Sequence, residues 1–280
     1  MIRFGPAGIP IQCEEVSTLK GVECCKKLGL DAMEIEFVRG VKMNDETAKK
    51  VKKKANELDV SISSHAPYYI NLCTPNNVKS ENSKRHIFLA AKATFLVNGK
   101  ITVFHPGFYQ TLGREEAFKT AKKRLLEIKE RMSEEKIKCV LGAETVGKKS
   151  AFGGFYENIR MAQDLECVTP VLDFAHLHAR GDFSIKSEED YRKIFSILEK
   201  ELPEYTKNMH CHFSEINYNE KGELNHVVLG TNNQPPYKPL MKVLSENGYR
   251  GTIICETPKL DIDALIMQRE YKKEYEKLDR

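Results

Sequence analysis

Residues 100–105 read Lys100-Ile101-Thr102-Val103-Phe104-His105, a short β-branched and apolar run that ends in a histidine. A Pro106-Gly107 turn follows, then a Lys/Glu-rich stretch, 114–135, with helical period, and then a second apolar run, 137–144, that ends in Glu144. Runs of this kind predict strands and the stretch between them predicts an amphipathic helix. Strand, helix and strand in succession predict a parallel βαβ unit. Working outward, similar runs occur at 2–5, 32–37, 60–65, 168–173, 208–213 and 252–256, most of them followed by turn residues and a helical segment such as 186–202. Eight repeats in 280 residues predict a closed (β/α)8 TIM barrel, which commonly uses about 250 residues. An open doubly wound sheet is the alternative; Gly5-Pro6-Ala7-Gly8 does not match the Gly-rich phosphate loop such a sheet often carries after its first strand.

No Gly/Ser-rich, Pro-rich or low-complexity stretch divides the chain, so a single domain over 1–280 is expected. A hydrophobic fraction of 41% supplies a sizeable core. The net charge of +4 permits a polyanionic partner without demanding one, because dedicated nucleic-acid proteins often have a sharper basic bias. Eight cysteines lack zinc-knuckle or CxxC spacing, which predicts reduced thiols and a cytoplasmic protein. No apolar run reaches the roughly 20 residues a membrane span needs.

Seven of the eight histidines, all but His86, lie near the ends of apolar runs, and Glu144, Asp173 and Glu256 hold equivalent places. Barrel active sites form at the carboxyl ends of the strands. His65, His105, Glu144, Asp173, His212 and Glu256 all fall there, which predicts a metal site assembled across the whole chain. A catalytic zinc usually takes three protein ligands, so six or more candidates predict two or three ions. Clustered divalent cations suit phosphodiester hydrolysis, and Glu144 is a candidate bridge.

The motifs Ser64-His65-Ala66-Pro67-Tyr68-Tyr69-Ile70-Asn71-Leu72, Phe104-His105-Pro106-Gly107, Gly142-Ala143-Glu144-Thr145, Leu172-Asp173-Phe174-Ala175-His176 and Cys255-Glu256-Thr257 resemble, in order along nearly the whole chain, those of the endonuclease IV family of apurinic/apyrimidinic endonucleases. The resemblance implies a (β/α)8 barrel whose zinc ions cut double-stranded DNA on the 5′ side of an abasic site by a metal-activated hydroxide, in base excision repair. It implies His65, His105 and Glu144 as ligands of a first zinc, with Glu144 bridging to a second held by Asp173, His212 and Glu256. It implies His176 and His226 as ligands of a third. Zn2+ is the expected cofactor, as two or three ions, with Mn2+ or another divalent cation at one site as an alternative. His210 and His212 point to the same side of one strand by alternation; Phe213-Ser214-Glu215 after it favours His212.

The chain departs from the family at one ligand. An aspartate is expected two residues before His226, where this chain has Leu224; Glu223, Asn225 or His178 are the candidates to replace it. For substrate grip, the resemblance implies that Tyr68 and Tyr69 wedge into the duplex at the lesion and that Arg39 contacts phosphate or the vacated stack. Arg180 and Lys148-Lys149 are further candidates for backbone phosphates. A monomer is the default for a barrel that binds DNA across its mouth. Two other functions stay open: a single-metal sugar isomerase or epimerase of the same superfamily, using Glu144, Asp173, His212 and Glu256, and a protein that binds lesions without cutting.

Overall fold

The computed structural model describes residues 1–278. Eight parallel strands form one sheet: β1 (Ile2–Pro6), β2 (Ala32–Glu36), β3 (Ser61–His65), β4 (Ile101–Phe104), β6 (Val140–Glu144), β8 (Val168–Asp173), β9 (Met209–Phe213) and β12 (Gly251–Cys255). Their order around the sheet is β1-β12-β9-β8-β6-β4-β3-β2. The ring closes where Ala7 bridges Glu34 in parallel and the Gly8 amide donates to the Glu34 carbonyl at 2.9 Å. Gly5 permits that closure, because a Cβ there would sit 1.9 Å from the Ala32 carbonyl oxygen. The protein is therefore the expected single TIM barrel.

The expected strands agree with the observed ones to within a residue or so, except that 137–144 shrinks to Val140–Glu144. The expected helices 114–135 and 186–202 appear as α4 (Arg114–Glu134) and α7 (Glu188–Glu201). Side-chain caps start several helices: Asn44 accepts from the Thr47 amide before α2 (Asp45–Leu58), and Asn76 from Lys79 before α3 (Asn77–Leu96).

Alternation along the strands sorts the barrel wall. On β9, Met209, Cys211 and Phe213 join the apolar layer beneath the helices, while His210 and His212 face inward. On β2, Met33 and Ile35 pack outward and Glu34 turns inward. The interior of the barrel is consequently polar and ionisable. Absent from the sequence-based reading is a hairpin at the strands' carboxyl end, β10 (Glu215–Asn219) with β11 (Gly222–Val227), which packs on the short helix α6 (Phe174–Arg180). Two short strands, β5 (Gly107–Phe108) and β7 (Ala151–Phe152), pair antiparallel at the same end. Among the described residues no helix is long and apolar enough to cross a membrane.

Candidate metal centre

All eight expected ligands converge at the carboxyl ends of the strands. Glu144, at the end of β6 and fully buried, stands at the centre. Its Oε2 lies 2.8 Å from His65 Nε2 and 2.9 Å from His105 Nε2. Its Oε1 lies 3.3 Å from both His176 Nδ1 and His212 Nδ1. His212 Nδ1 is also 3.2 Å from Glu256 Oε1. Three groups of donor atoms result among the eight, each within 4.8 Å: His65, His105 and Glu144; Glu144, Asp173, His212 and Glu256; Asp173, His176 and His226; a fourth group, Glu34, His210 and His212, adjoins them through His212.

Local structure aims these donors. Asp173 ends β8 and caps α6, so its Oδ1 accepts the His176 amide at 2.8 Å while Oδ2 is left for the cluster. His65 Nδ1 stands 2.7 Å from the Ala66 carbonyl, His176 Nδ1 2.9 Å from that of Thr145, and His226 Nδ1 3.2 Å from that of Glu256. A carbonyl only accepts, so each Nδ1 donates and each Nε2 is the ring nitrogen left facing the site. The His176 and His226 Nε2 atoms face each other at 3.2 Å.

The electrostatics show what this arrangement demands. Burial would lower the His65 imidazolium, yet Glu144 outweighs it and raises the group to about 10. Burial raises the Asp173 carboxyl to about 6, helped by Glu256 and opposed by His176. Burial also opposes ionisation of Glu256, but His212 prevails and holds it at about 2. Positive charge is required among these carboxylates, and protons on imidazoles supply it here. Glu144 Oε1, Asp173 Oδ2 and His212 Nδ1 are buried without a hydrogen-bond partner. Orphaned donor atoms converging from carboxylates and imidazoles fit divalent cations of the zinc type.

The hairpin brings one of the three candidates for the expected aspartate's place up to the cluster. Asn217 pairs with Asn225 and Tyr218 with Glu223, so Leu224 is the extra residue of a β-bulge. The bulge leaves Leu224 59% exposed and puts Glu223 on the side of His226. Glu223 Oε2 reaches within 3.3 Å of His176 Nε2. Of the other two candidates, Asn225 is exposed, and His178 is turned away, its Nδ1 accepting from the Ile185 amide and its ring against Tyr218.

Expectations for the rim fare unevenly. Tyr68 and Tyr69 are exposed at the mouth, 63% and 49%, and meet edge to face. Arg39, Lys148 and Lys149 are exposed nearby in sequence to strand ends. Arg180 departs from its expectation as a phosphate contact: it is buried and donates to the carbonyls of Val146, Lys148 and Ala151. A cavity of about 340 Å³ opens over the cluster, lined by His65, Tyr68, His105, His176, His226 and Glu256 among others. A larger cavity of about 840 Å³ at the opposite face of the barrel contains none of the eight.

Two carboxylates, Glu34 and Glu36 on β2, escaped the sequence reading. Glu36 lines the cavity with Oε1 unpartnered, and burial raises it to about 8. The alternation Glu34-Ile35-Glu36 in an otherwise apolar run was the signal that could have found them, because it puts two carboxylates on one face.

Fold and site together define a (β/α)8 barrel with a His/carboxylate cluster suited to divalent cations at the carboxyl ends of its strands. The chain belongs to the xylose isomerase-like TIM barrel family, whose sequence model matches residues 22–279. It is 37% identical over 273 residues to an uncharacterised protein of Methanocaldococcus jannaschii, covering 97% of both chains. It is 24% identical over 256 residues to the probable endonuclease 4 of Aquifex aeolicus, covering 87% of this chain and 88% of that one. Among solved structures, endonuclease IV from Thermus thermophilus superposes with a TM-score of 0.71 at 17% identity, covering 97% of this chain and 99% of the other. A D-tagatose 3-epimerase-like protein superposes equally well, with a TM-score of 0.72 at 20% identity over 98% and 100%. Likeness at this level shows the shared fold and does not choose between the two chemistries.

Proposed function

We propose that the protein is a metal-dependent phosphodiesterase that incises DNA on the 5′ side of abasic sites. The observation that carries this reading is the number and placement of imidazoles. A single-ion epimerase needs only the Glu144, Asp173, His212 and Glu256 set, whereas His65, His105, His176 and His226 flank it with Nε2 atoms directed at two further positions. Glu223 would complete the outer one, its Oε2 accepting from the Gly147 amide and standing 3.3 Å from His176 Nε2.

Cations held there, when bound, supply Lewis acidity that acidifies a water and neutralises charge on a phosphodiester. The chain's own residues do the rest. Glu144 divides its two oxygens between the His65–His105 side and the His176–His212 side, fixing the spacing of the positions. The carbonyls of Ala66, Thr145 and Glu256 hold three imidazole rings with Nε2 turned to the site. Tyr68 and Tyr69 stand at the mouth, where aromatic rings can wedge a duplex that has already lost a base. DNA carrying the lesion is thus the proposed partner, bound by a monomer.

One observation favours a second reading, a sugar epimerase: Glu36 brings a carboxyl raised to about 8 into the cavity, as an acid/base group would be. The deciding experiment is incision of a labelled duplex carrying one tetrahydrofuran residue, with cations per chain counted on the same preparation. Cleavage 5′ of the analogue with two or three cations supports the endonuclease. An uncleaved duplex, one cation per chain and turnover of a ketose support the epimerase.

A further inference from the structure

Glu34 is fully buried in the barrel interior, one layer below the cluster and outside the proposed ligand set. Its two oxygens are divided. Oε2 accepts from Ser63 Oγ at 2.6 Å and from His210 Nε2 at 2.9 Å. Oε1 stands 2.9 Å from His212 Nε2, a close charge contact that is not aligned as a hydrogen bond for either atom. The opposite nitrogen of the same ring, Nδ1, is the atom that faces Glu144 and Glu256.

His212 therefore differs from its neighbours. The outer nitrogens of His65, His176 and His226 rest against neutral carbonyls, while that of His212 rests against a carboxylate. Its inner atom is also the reverse one, Nδ1 in place of Nε2. A carboxylate only accepts, so with a cation held at Nδ1 the charge of Glu34 would keep the ring proton on Nε2 and make the Nδ1 lone pair more basic than a carbonyl would. Two strands and two side chains hold Glu34 still: Ser63 lies on β3 beside it, and His210 lies two residues before His212, on the same face of β9 and one step deeper.

We infer that Glu34, steadied by Ser63 and His210, is a positioning residue that sets the tautomer and donor strength of His212 toward the cation shared with Glu144, Asp173 and Glu256. His210 is thereby a support of the centre and does not compete with His212 for the cation. This inference rests on the reading of His212 as a ligand.

The test uses Co2+ as the probe, titrated into the metal-free protein against a chromophoric chelator, with the visible d–d absorption recorded at each step. Glu34→Gln keeps size and polarity while removing the charge. The expected result is 10–100-fold weaker binding of one Co2+ with an altered d–d spectrum, and the wild-type number of cations recovered once Co2+ is raised. Ser63→Ala, which removes only the hydrogen bond to Oε2, is expected to shift the same band by less, and it decides the matter should Glu34→Gln fail to fold. Affinity and spectrum unchanged in both variants would overturn the inference while leaving the metal centre intact. A cation lost from Glu34→Gln at every Co2+ concentration would overturn it too, by making Glu34 a ligand together with His210 and His212. Wild-type protein that takes up no Co2+ would overturn both this inference and the proposed function.

Discussion

Glu223 Oε2 lies 3.3 Å from His176 Nε2, although Glu223 is three residues before His226 and regular alternation would turn it away. The bulge at Leu224 produces the contact by adding one residue to β11. Glu223→Ala is expected to weaken one cation by about 10–100-fold or more and to lower the cations retained after dialysis. Leu224→Ala, at an exposed side chain, is expected to change neither. Elemental analysis of the dialysed variants checks both, and a loss in Leu224→Ala alone would contradict the assignment.

Glu144→Gln removes the charge that four imidazoles face. Lewis-acid stabilisation is worth several kcal/mol, so incision is expected to fall by on the order of 10³-fold or more. Single-turnover cleavage of the tetrahydrofuran duplex measures it. Cleavage at the wild-type rate would exclude the cluster as the catalytic centre.

Tyr68→Ala removes an exposed ring from the mouth and leaves the cluster alone. Ring stacking on nucleic acid is worth about 1–3 kcal/mol, so preference for lesion DNA over intact duplex is expected to drop by roughly 5–150-fold, with kcat at saturating DNA little changed. Competition binding reports the first and steady-state kinetics the second. An unaltered preference would move the wedge elsewhere.

In the metal-free chain the cluster carries a pH signature. His65, whose burial is outweighed by Glu144, titrates near 10 against an ordinary 6.5. A raised folded value means stability fully present below the unfolded pKa and lost as pH rises through the folded one. Asp173, raised by burial from 3.8 to about 6, slopes the same way over the lower range. Melting temperature in chelator is therefore expected to fall between pH 4 and 6 from Asp173 and again between about 6.5 and 10 from His65. His65→Gln should flatten the upper part. A metal-free melting temperature that climbs through that upper range would contradict the geometry.

Binding of duplex DNA should weaken linearly on a log–log plot against salt, with a slope of about −0.9 per phosphate neutralised. Fluorescence anisotropy over a range of salt measures it. A slope near zero would argue against DNA as the ligand.

The barrel was legible because its information is local. Each strand is a short apolar run and each helix a 3.6-period stretch, so the order of elements and the ligands at strand ends follow from counting along the chain. His65, His105, Glu144, Asp173, His212 and Glu256 could be named this way. The choice between His210 and His212 could not be made by alternation, which puts both on one face; depth along the barrel axis separates them, and only closure of the sheet defines depth. Glu34 became visible for the same reason, since β2 (Ala32–Glu36) and β9 (Met209–Phe213) are distant in sequence and meet only across the interior. Glu223 required the bulge, a change of register that apolar periodicity does not record. Arg180 reads as a surface cation and is buried, because three loop carbonyls converge on its guanidinium. The sequence by itself thus determined the repeat, the strand ends and the ligand types, which depend on neighbours in the chain. Tertiary structure decided which nitrogen, which carboxylate and which charge face the centre, because those depend on contacts between strands that the chain brings together only on closing.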